Sequence, residues 1–223
     1  MVASNDDDGL FQPDREFFAG SSLDVAPRLL GGVLRHETPD GTVALRLTEV
    51  EAYVGNGVDP GSHAFRGRTK RNEVMFGPPA HLYAYFTYGM HVCANVVCSP
   101  EGEPSGVLLR AAEVVGGADL ALARRSISAA SGGSERGPRA VAARDLARGP
   151  ARLVVAAGIR LDENGSDLFE PPFSLRIPRI QQPYAAGPRT GISGAGGGDD
   201  YPWRFWLPGD PSVSPYKRHP KSH

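Results

Sequence analysis

Cysteine is nearly absent from this sequence. Two cysteines among 223 residues, Cys93 and Cys98, exclude a disulfide framework. Their odd spacing inside one apolar stretch puts them on opposite faces of a strand, so buried free thiols are expected, as in a cytoplasmic protein. Long apolar runs are missing too. None approaches the roughly 18 residues that a membrane span needs. The opening "MVASNDDDG" has three aspartates and no apolar segment of the kind a secretory signal carries, and residues 1–12 read as a disordered acidic tail. An excess of either charge is also lacking. With 24 Lys and Arg against 25 Asp and Glu, the net charge is −1, which counts against a partner held by bulk charge alone. The positive charge is instead local. "HAFRGRTKRN" packs Arg66, Arg68, Lys70 and Arg71 together, and "YKRHPKSH" makes a basic tail of residues 216–223. A basic rim on a neutral protein still suits contact with phosphates.

Glycine and proline are plentiful, 28 and 20 residues, and favour turns and short strands over long helices. Ser22 is placed to cap a short helix over "SLDVAPRLLGG", ending at Gly31-Gly32. "GVLRHETPDGTVALRLTEVEAYVG" reads as a hairpin about "TPDG", with Leu45, Leu47 and Glu49 alternating with Arg46 and Thr48. A polar loop from Gly55 to Arg71 follows. "HLYAYFTYGMHVCANVV" reads as a second hairpin with Tyr88-Gly89 at its tip. Tyr83 and Tyr85 share one face, Phe86 takes the other, and Val92, Ala94 and Val96 alternate with Cys93, Asn95 and Val97 on the return. "SGVLLRAAEVV" is a further strand with Arg110 inside it. "GADLALARRS" and "RGPARLVVAAGI" read as helices, and Ser126 to Arg139 as a low-complexity mobile loop. "FSLRIPRI" and "WRFWL" are late strands, and "GISGAGGGDD" is a loop rather than a phosphate cradle, because no helix pattern follows it. Strands and helices do not alternate as βαβ units. The expected fold is a single α+β domain over residues 13–215, with a largely antiparallel curved sheet, a protruding hairpin and surrounding helices.

Few residues are candidates for chemistry. Glu51 closes an apolar strand. It is either a strand-end charge facing solvent or a partly buried acid with general-base character, and Glu49 shares its face. His63, His81 and His91 lack ligand spacing, so no metal and no cofactor is expected. No lysine in an apolar strand near Glu51 supports Schiff-base chemistry, and no serine occupies a G-x-S-x-G elbow. Tyr83 suits a core. Tyr88, bulky and beside glycine at a hairpin tip, suits stacking on a base. Asn95, inside an apolar strand, is either a network residue or a reader of a polar ligand edge. A nucleic-acid binder without catalysis, using the same aromatics, and a small-molecule hydrolase with a histidine-bound metal are the alternative classes.

"EVEAYVG", "SHAFRGRTKRN", "MFGPPAHLYAYFTYGMHVCAN", "GVLLRAAE", "RGPARL" and "YPWRFWL" come in the order and spacing of the alkyladenine DNA glycosylases, and over roughly Phe17 to Val213 the chain resembles that family. The resemblance implies an enzyme that flips damaged purines from duplex DNA and hydrolyses their N-glycosidic bond. It makes Glu51 the general base toward C1′, with Arg110 holding the water or a phosphate nearby. Tyr53, His63 and Tyr85 would wall the pocket, and the His63 backbone N–H would donate to an acceptor at purine position 6. Asn95 would exclude the 2-amino group of guanine. Tyr88, with Met90 beside it, would fill the gap left in the duplex. Arg66, Arg68, Lys70 and Arg71 would meet the DNA backbone. The implied partner is double-stranded DNA containing damaged purines, bound by a monomer without a membrane.

Overall fold

The computed structural model describes residues 9–87, 91–131 and 141–223. Its elements follow in chain order. They are β1 (Leu10–Phe11), α1 (Arg15–Phe18), α2 (Ser22–Leu29), β2 (Val33–Thr38), β3 (Gly41–Val54), β4 (Leu82–Thr87), β5 (His91–Cys98), β6 (Ser105–Gly116), α3 (Ala118–Ser131), β7 (Ala147–Arg148), α4 (Pro150–Ala157), β8 (Phe173–Pro178), β9 (Ala185–Gly187) and β10 (Arg204–Trp206). The strands form one antiparallel sheet in the order β1-β8-β2-β3-β6-β5-β4, as an α+β domain requires. β10 pairs with the second half of β3 where β2 has ended, and with β9 on its other side. β1 puts Leu10 and Phe11 inside the sheet, ahead of the boundary expected at residue 13. At the other end, the Gly191 and Gly194 N–H groups donate to the Lys217 and Lys221 carbonyls, so the closing basic residues pack on the fold.

Local signals account for the element ends. Ser21, not Ser22, caps α2, its Oγ accepting from the Leu23 N–H. Ser22 is buried one position inside the helix, and its hydroxyl donates to the Tyr53 carbonyl at 3.1 Å. Pro150 opens α4, and Gly158 closes it in the left-handed region at φ 76°. α3 runs to Ser131, so the first part of the segment expected as a loop is helical. Residues 132–140 lie outside the described chain.

The main core lies on one face of the sheet. Leu153, Val154, Ala156 and Ala157 of α4 and Val25, Ala26 and Leu29 of α2 cover Val50, Ala52, Leu82, Ala94, Val96, Val107 and Leu109. A smaller cluster of Ala64, Met75, Tyr83 and Val97 sits on the opposite face.

β3 changes face in mid-course. Val43, Leu45 and Leu47 point to the core, and then Val50 and Ala52 do. The register explains the switch. Leu47 pairs with Ala112 and Glu49 with Ala111, so Thr48 is an extra residue on β3. Glu49 pairs with Ala111 and Val50 with Leu109, so Arg110 is an extra residue on β6. Strict alternation from Leu45 and Leu47 puts Glu49 in the core. The Thr48 bulge instead sends Glu49, Glu51 and Tyr53 to the other face, because one inserted residue inverts a period of two.

β4 ends the sheet, yet its outer edge is occupied. The Leu82 N–H donates to the Ser166 carbonyl, and the Leu82 carbonyl accepts from the Gly165 N–H. The Ala84 N–H donates to Asn164 Oδ1, and the Phe86 carbonyl accepts from Arg71 Nη2 at 3.1 Å.

Deleting Thr48 should therefore abolish the fold. Two carboxylates would turn into a leucine-lined core at several kcal/mol each, against a total stability of about 5–15 kcal/mol. Thr48→Ala should lose only the bond to the Ser212 hydroxyl, at about 1 kcal/mol. Urea unfolding should show a cooperative transition for the substitution and none for the deletion.

Candidate functional site

Residues paired across antiparallel strands share a face. Arg204 pairs with Glu51, Glu51 with Leu108, Leu108 with Asn95, and Asn95 with Tyr83. One row thus crosses five strands on the face away from the helices. Beside it, Tyr53, Gly61, His63, Met75, Tyr83, Tyr85, Asn95 and Ile192 line a pocket. Of the residues singled out in the sequence, the fold brings Tyr53, His63, Tyr85 and Asn95 together there. Tyr83 and Tyr85 stack at 5.3 Å, and the His63 ring stands edge-on to Tyr85 at 4.5 Å.

Glu51 is no solvent-facing strand-end charge. It sits inside β3 and is fully buried. Its Oε1 accepts from the Thr190 N–H at 2.8 Å and lies 3.5 Å from Arg110 Nε. Its Oε2 accepts from the Tyr53 hydroxyl at 2.8 Å. Burial, then the Glu51 charge, push the Tyr53 phenol well above its ordinary pKa, so this O–H stays protonated and donates. The carboxylate lies one hydrogen bond behind the aromatic wall.

Glu49 is buried beside it with its oxygens taken. Oε1 accepts from Arg204 Nε at 2.5 Å and Arg110 Nε at 3.1 Å, and Oε2 accepts from the Ser214 N–H at 2.8 Å. Burial works against the Arg110 charge, but Glu51 and Glu49 outweigh it and raise its pKa.

The loop after β3 is pinned by a second buried pair. Arg189 and Asp59 are fully buried and joined by two bonds of 2.6 Å. Asp59 also accepts from the Val54 and Gly61 N–H groups. Arg189 donates to the Ala52 carbonyl and lies 4.4 Å from the Tyr53 ring centre. The approach is so close that a side chain at Gly61 would strike the guanidinium. Farther along, Asn72 donates to the His63 and Gly67 carbonyls and accepts from Thr69, which fixes the backbone at His63. The His63 ring has an open edge, while Nδ1 meets the Tyr83 hydroxyl at 3.1 Å. Burial of its inner side, then Arg71, lower its pKa to about 4, so the imidazole is neutral at physiological pH.

Asn95 is a network residue that also faces the pocket. Its Nδ2 donates to the Tyr83 carbonyl at 3.0 Å, which locks the amide. Arg66, Arg68, Lys70 and Arg71 are exposed on the loop that carries His63. Arg68 pairs with Glu73 at 3.0 Å, and Arg71 lies 5.5 Å from the Tyr85 ring centre. Tyr88 and Met90 lie outside the described residues. Cys93 and Cys98 are buried free thiols. Among the described residues, no three His, Cys, Asp or Glu side chains converge as a metal site, and no helix is long and apolar enough to cross a membrane. Sequence reasoning missed Asp59, Thr190, Arg189 and Arg204. The one available signal was arginine inside "GPRTG" and "WRFWL", segments otherwise fit for a loop and a strand.

Known proteins resemble this chain over most of its length. Residues 16–211 match the model of a family described as methylpurine-DNA glycosylase. The chain is 68% identical over 214 residues to a protein of Leifsonia xyli subsp. xyli, covering 96% of this chain and 97% of that protein. It is 53% identical over 210 residues to one of Streptomyces avermitilis, covering 92% of each, and 46% identical over 200 residues to one of Mycobacterium tuberculosis, covering 87% and 89%. The names of all three provisionally assign them as 3-methyladenine DNA glycosylases.

Asp59→Asn should break the buried pair and leave the Arg189 charge uncompensated, at about 3–5 kcal/mol. Denaturant titration should show a lower midpoint with an unchanged slope.

Proposed function

The chain belongs to the methylpurine-DNA glycosylase family, hydrolases of the N-glycosidic bond, and from that premise we propose a monofunctional enzyme that flips and excises alkylated or deaminated purines from duplex DNA. Its substrates on this reading include 3-methyladenine, 7-methylguanine, hypoxanthine and ethenoadenine. It works as a monomer on chromosomal DNA in the cytoplasm. The observation that carries the reading is a buried carboxylate, Glu51, one hydrogen bond behind a pocket of three tyrosines and a neutral histidine.

A flipped purine stacks among Tyr53, His63 and Tyr85. The low pKa of His63 matters here, because an uncharged ring does not repel a cationic 3-methyladenine. The His63 backbone N–H donates to the acceptor at purine position 6, and the locked Asn95 amide occupies the space of a 2-amino group. The C1′–N bond breaks with its electron pair going to the purine, leaving an oxocarbenium-like sugar. Glu51 takes a proton from water as the water oxygen bonds C1′, and its negative charge stabilises the cationic sugar. Arg110 holds that water or a nearby phosphate. Tyr88 and Met90 fill the vacated stack, and Arg66, Arg68, Lys70 and Arg71 contact backbone phosphates. The abasic product is released intact, because no amine attacks the sugar.

Glu51→Gln should bind lesion duplex near wild-type affinity and lose excision by about 10²–10⁴-fold or more. Single-turnover excision and gel-shift binding on one preparation decide it. Excision within a few-fold of wild type refutes the assignment. Asn95→Ser should raise release of undamaged guanine above background, and a folded variant that leaves it at background moves the gate elsewhere.

A further inference from the structure

Glu49 is buried as deeply as Glu51 and both acids have both oxygens engaged, but two of the three donors to Glu49 are arginine side chains, whereas Glu51 is held by a phenol and a backbone N–H. Its partners show what it does. Arg110 stands at the bulge on β6, its side chain 11% exposed, with Nε 3.1 Å from Glu49 and 3.5 Å from Glu51. Among the described residues, neither terminal nitrogen of Arg110 meets a protein acceptor. One guanidinium thus lies between two carboxylates, and the farther of the two is the proposed base. A free arginine beside a carboxylate tends to close on it as a two-bond pair, which occupies the oxygens that a base needs.

We propose that Glu49 is a positioning residue: by holding Arg110 at Nε it keeps that arginine off Glu51 and leaves its terminal nitrogens for water or phosphate. The inference rests on Glu51 being the general base. Arg204 fits the same scheme. It holds Glu49 from the opposite strand, through Nε at 2.5 Å, and its Nη2 donates to the Ser214 carbonyl at 3.4 Å. The charged and titratable groups around Glu51 are Glu49 itself, Tyr53, Tyr85, Cys93, Arg110, Arg189 and Arg204. Of these, Arg110 and Arg204 touch Glu49 directly.

Glu49→Gln keeps the shape and removes the charge, so Arg110 turns to Glu51. The test reads single-turnover excision of 7-methylguanine against pH. That base is already cationic and needs no acid, so the acid limb of the profile reports the general base. Lesion binding should hold within a few-fold, the plateau rate should fall tenfold or more, and the acid limb should move about one unit or more to lower pH, as a tighter arginine partner favours the carboxylate. In an Arg110→Gln background the same substitution should move the limb by clearly less, since only the direct loss of a neighbouring negative charge is left. A rate loss with an unmoved limb, or a shift as large without Arg110 as with it, overturns the proposal. If Glu49→Gln does not fold, Arg204→Gln carries the test. It frees Glu49 for fuller pairing with Arg110, so the limb should rise, and by clearly more with Arg110 present than without it; an unmoved limb, or an equal rise in both backgrounds, overturns the proposal equally. Wild-type excision by Glu51→Gln would sink the base assignment itself. A dead Glu51→Gln with an unmoved limb in the Glu49 variant sinks only the positioning role.

Discussion

One extra residue in β3 decides which face of the sheet is chemical. The chain enters the strand with leucines toward the helices and leaves it with two carboxylates and a tyrosine toward the pocket, and Thr48 is where the phase inverts. The matching extra residue on β6 is Arg110, so the neighbouring strand recovers its register as it delivers a guanidinium between the acids. A bulge leaves a residue outside the ladder and re-aims its side chain. Two bulges almost opposite one another place the cation beside its anions without interrupting the hydrophobic layer beneath.

That arrangement carries an electrostatic burden. Glu49, Glu51 and Asp59 are buried with Arg189 and Arg204, and the largely covered Arg110 brings the cations to the same number. Stripping water from a single ion costs several kcal/mol. The burden is met by multiplicity. Asp59 accepts two arginine nitrogens and two backbone N–H groups, Glu49 two arginines and one N–H, Glu51 a phenol and one N–H. Apart from Tyr53, Val54 and Gly61, the donors come from β6, β10, the loop after β9 and the residues after β10. The pocket face is therefore held by polar contacts between distant segments, while the helix face is held by close-packed leucine, valine and alanine.

This division explains what the sequence discloses. The β2–β3 hairpin is legible because "TPDG" joins two alternating segments, and the tyrosine hairpin because its two faces differ in polarity. α4 is legible from Pro150 and Gly158, whose backbone preferences act locally. Tyr53, His63, Tyr85 and Asn95 are legible together only through family resemblance, since nothing local shows that they converge. The bulge at Thr48 is hidden, because Leu45, Leu47 and Glu49 keep strict alternation in the letters while the backbone does not. Arg189 and Asp59 are 130 residues apart, and Arg204 reaches Glu49 across 155. Such pairings depend on tertiary closure, which spacing does not encode. Ser21 and Ser22 differ by one residue, and only geometry separates the cap from the hydroxyl that holds Tyr53.

The outer edge of β4 has a consequence for solubility. The last strand of a sheet offers unpaired N–H and C=O groups to any extended peptide, and an exposed edge is a template for chain-to-chain growth. Here Ser166 and Gly165 take both outward groups of Leu82, Asn164 takes the N–H of Ala84, and Arg71 donates to the carbonyl of Phe86, which is about half exposed. One arginine of the basic loop that carries His63 thus also covers a backbone group of the sheet edge. A crowded cell holds many partly unfolded strands in search of an edge, and several of the groups this one would offer them are already bonded.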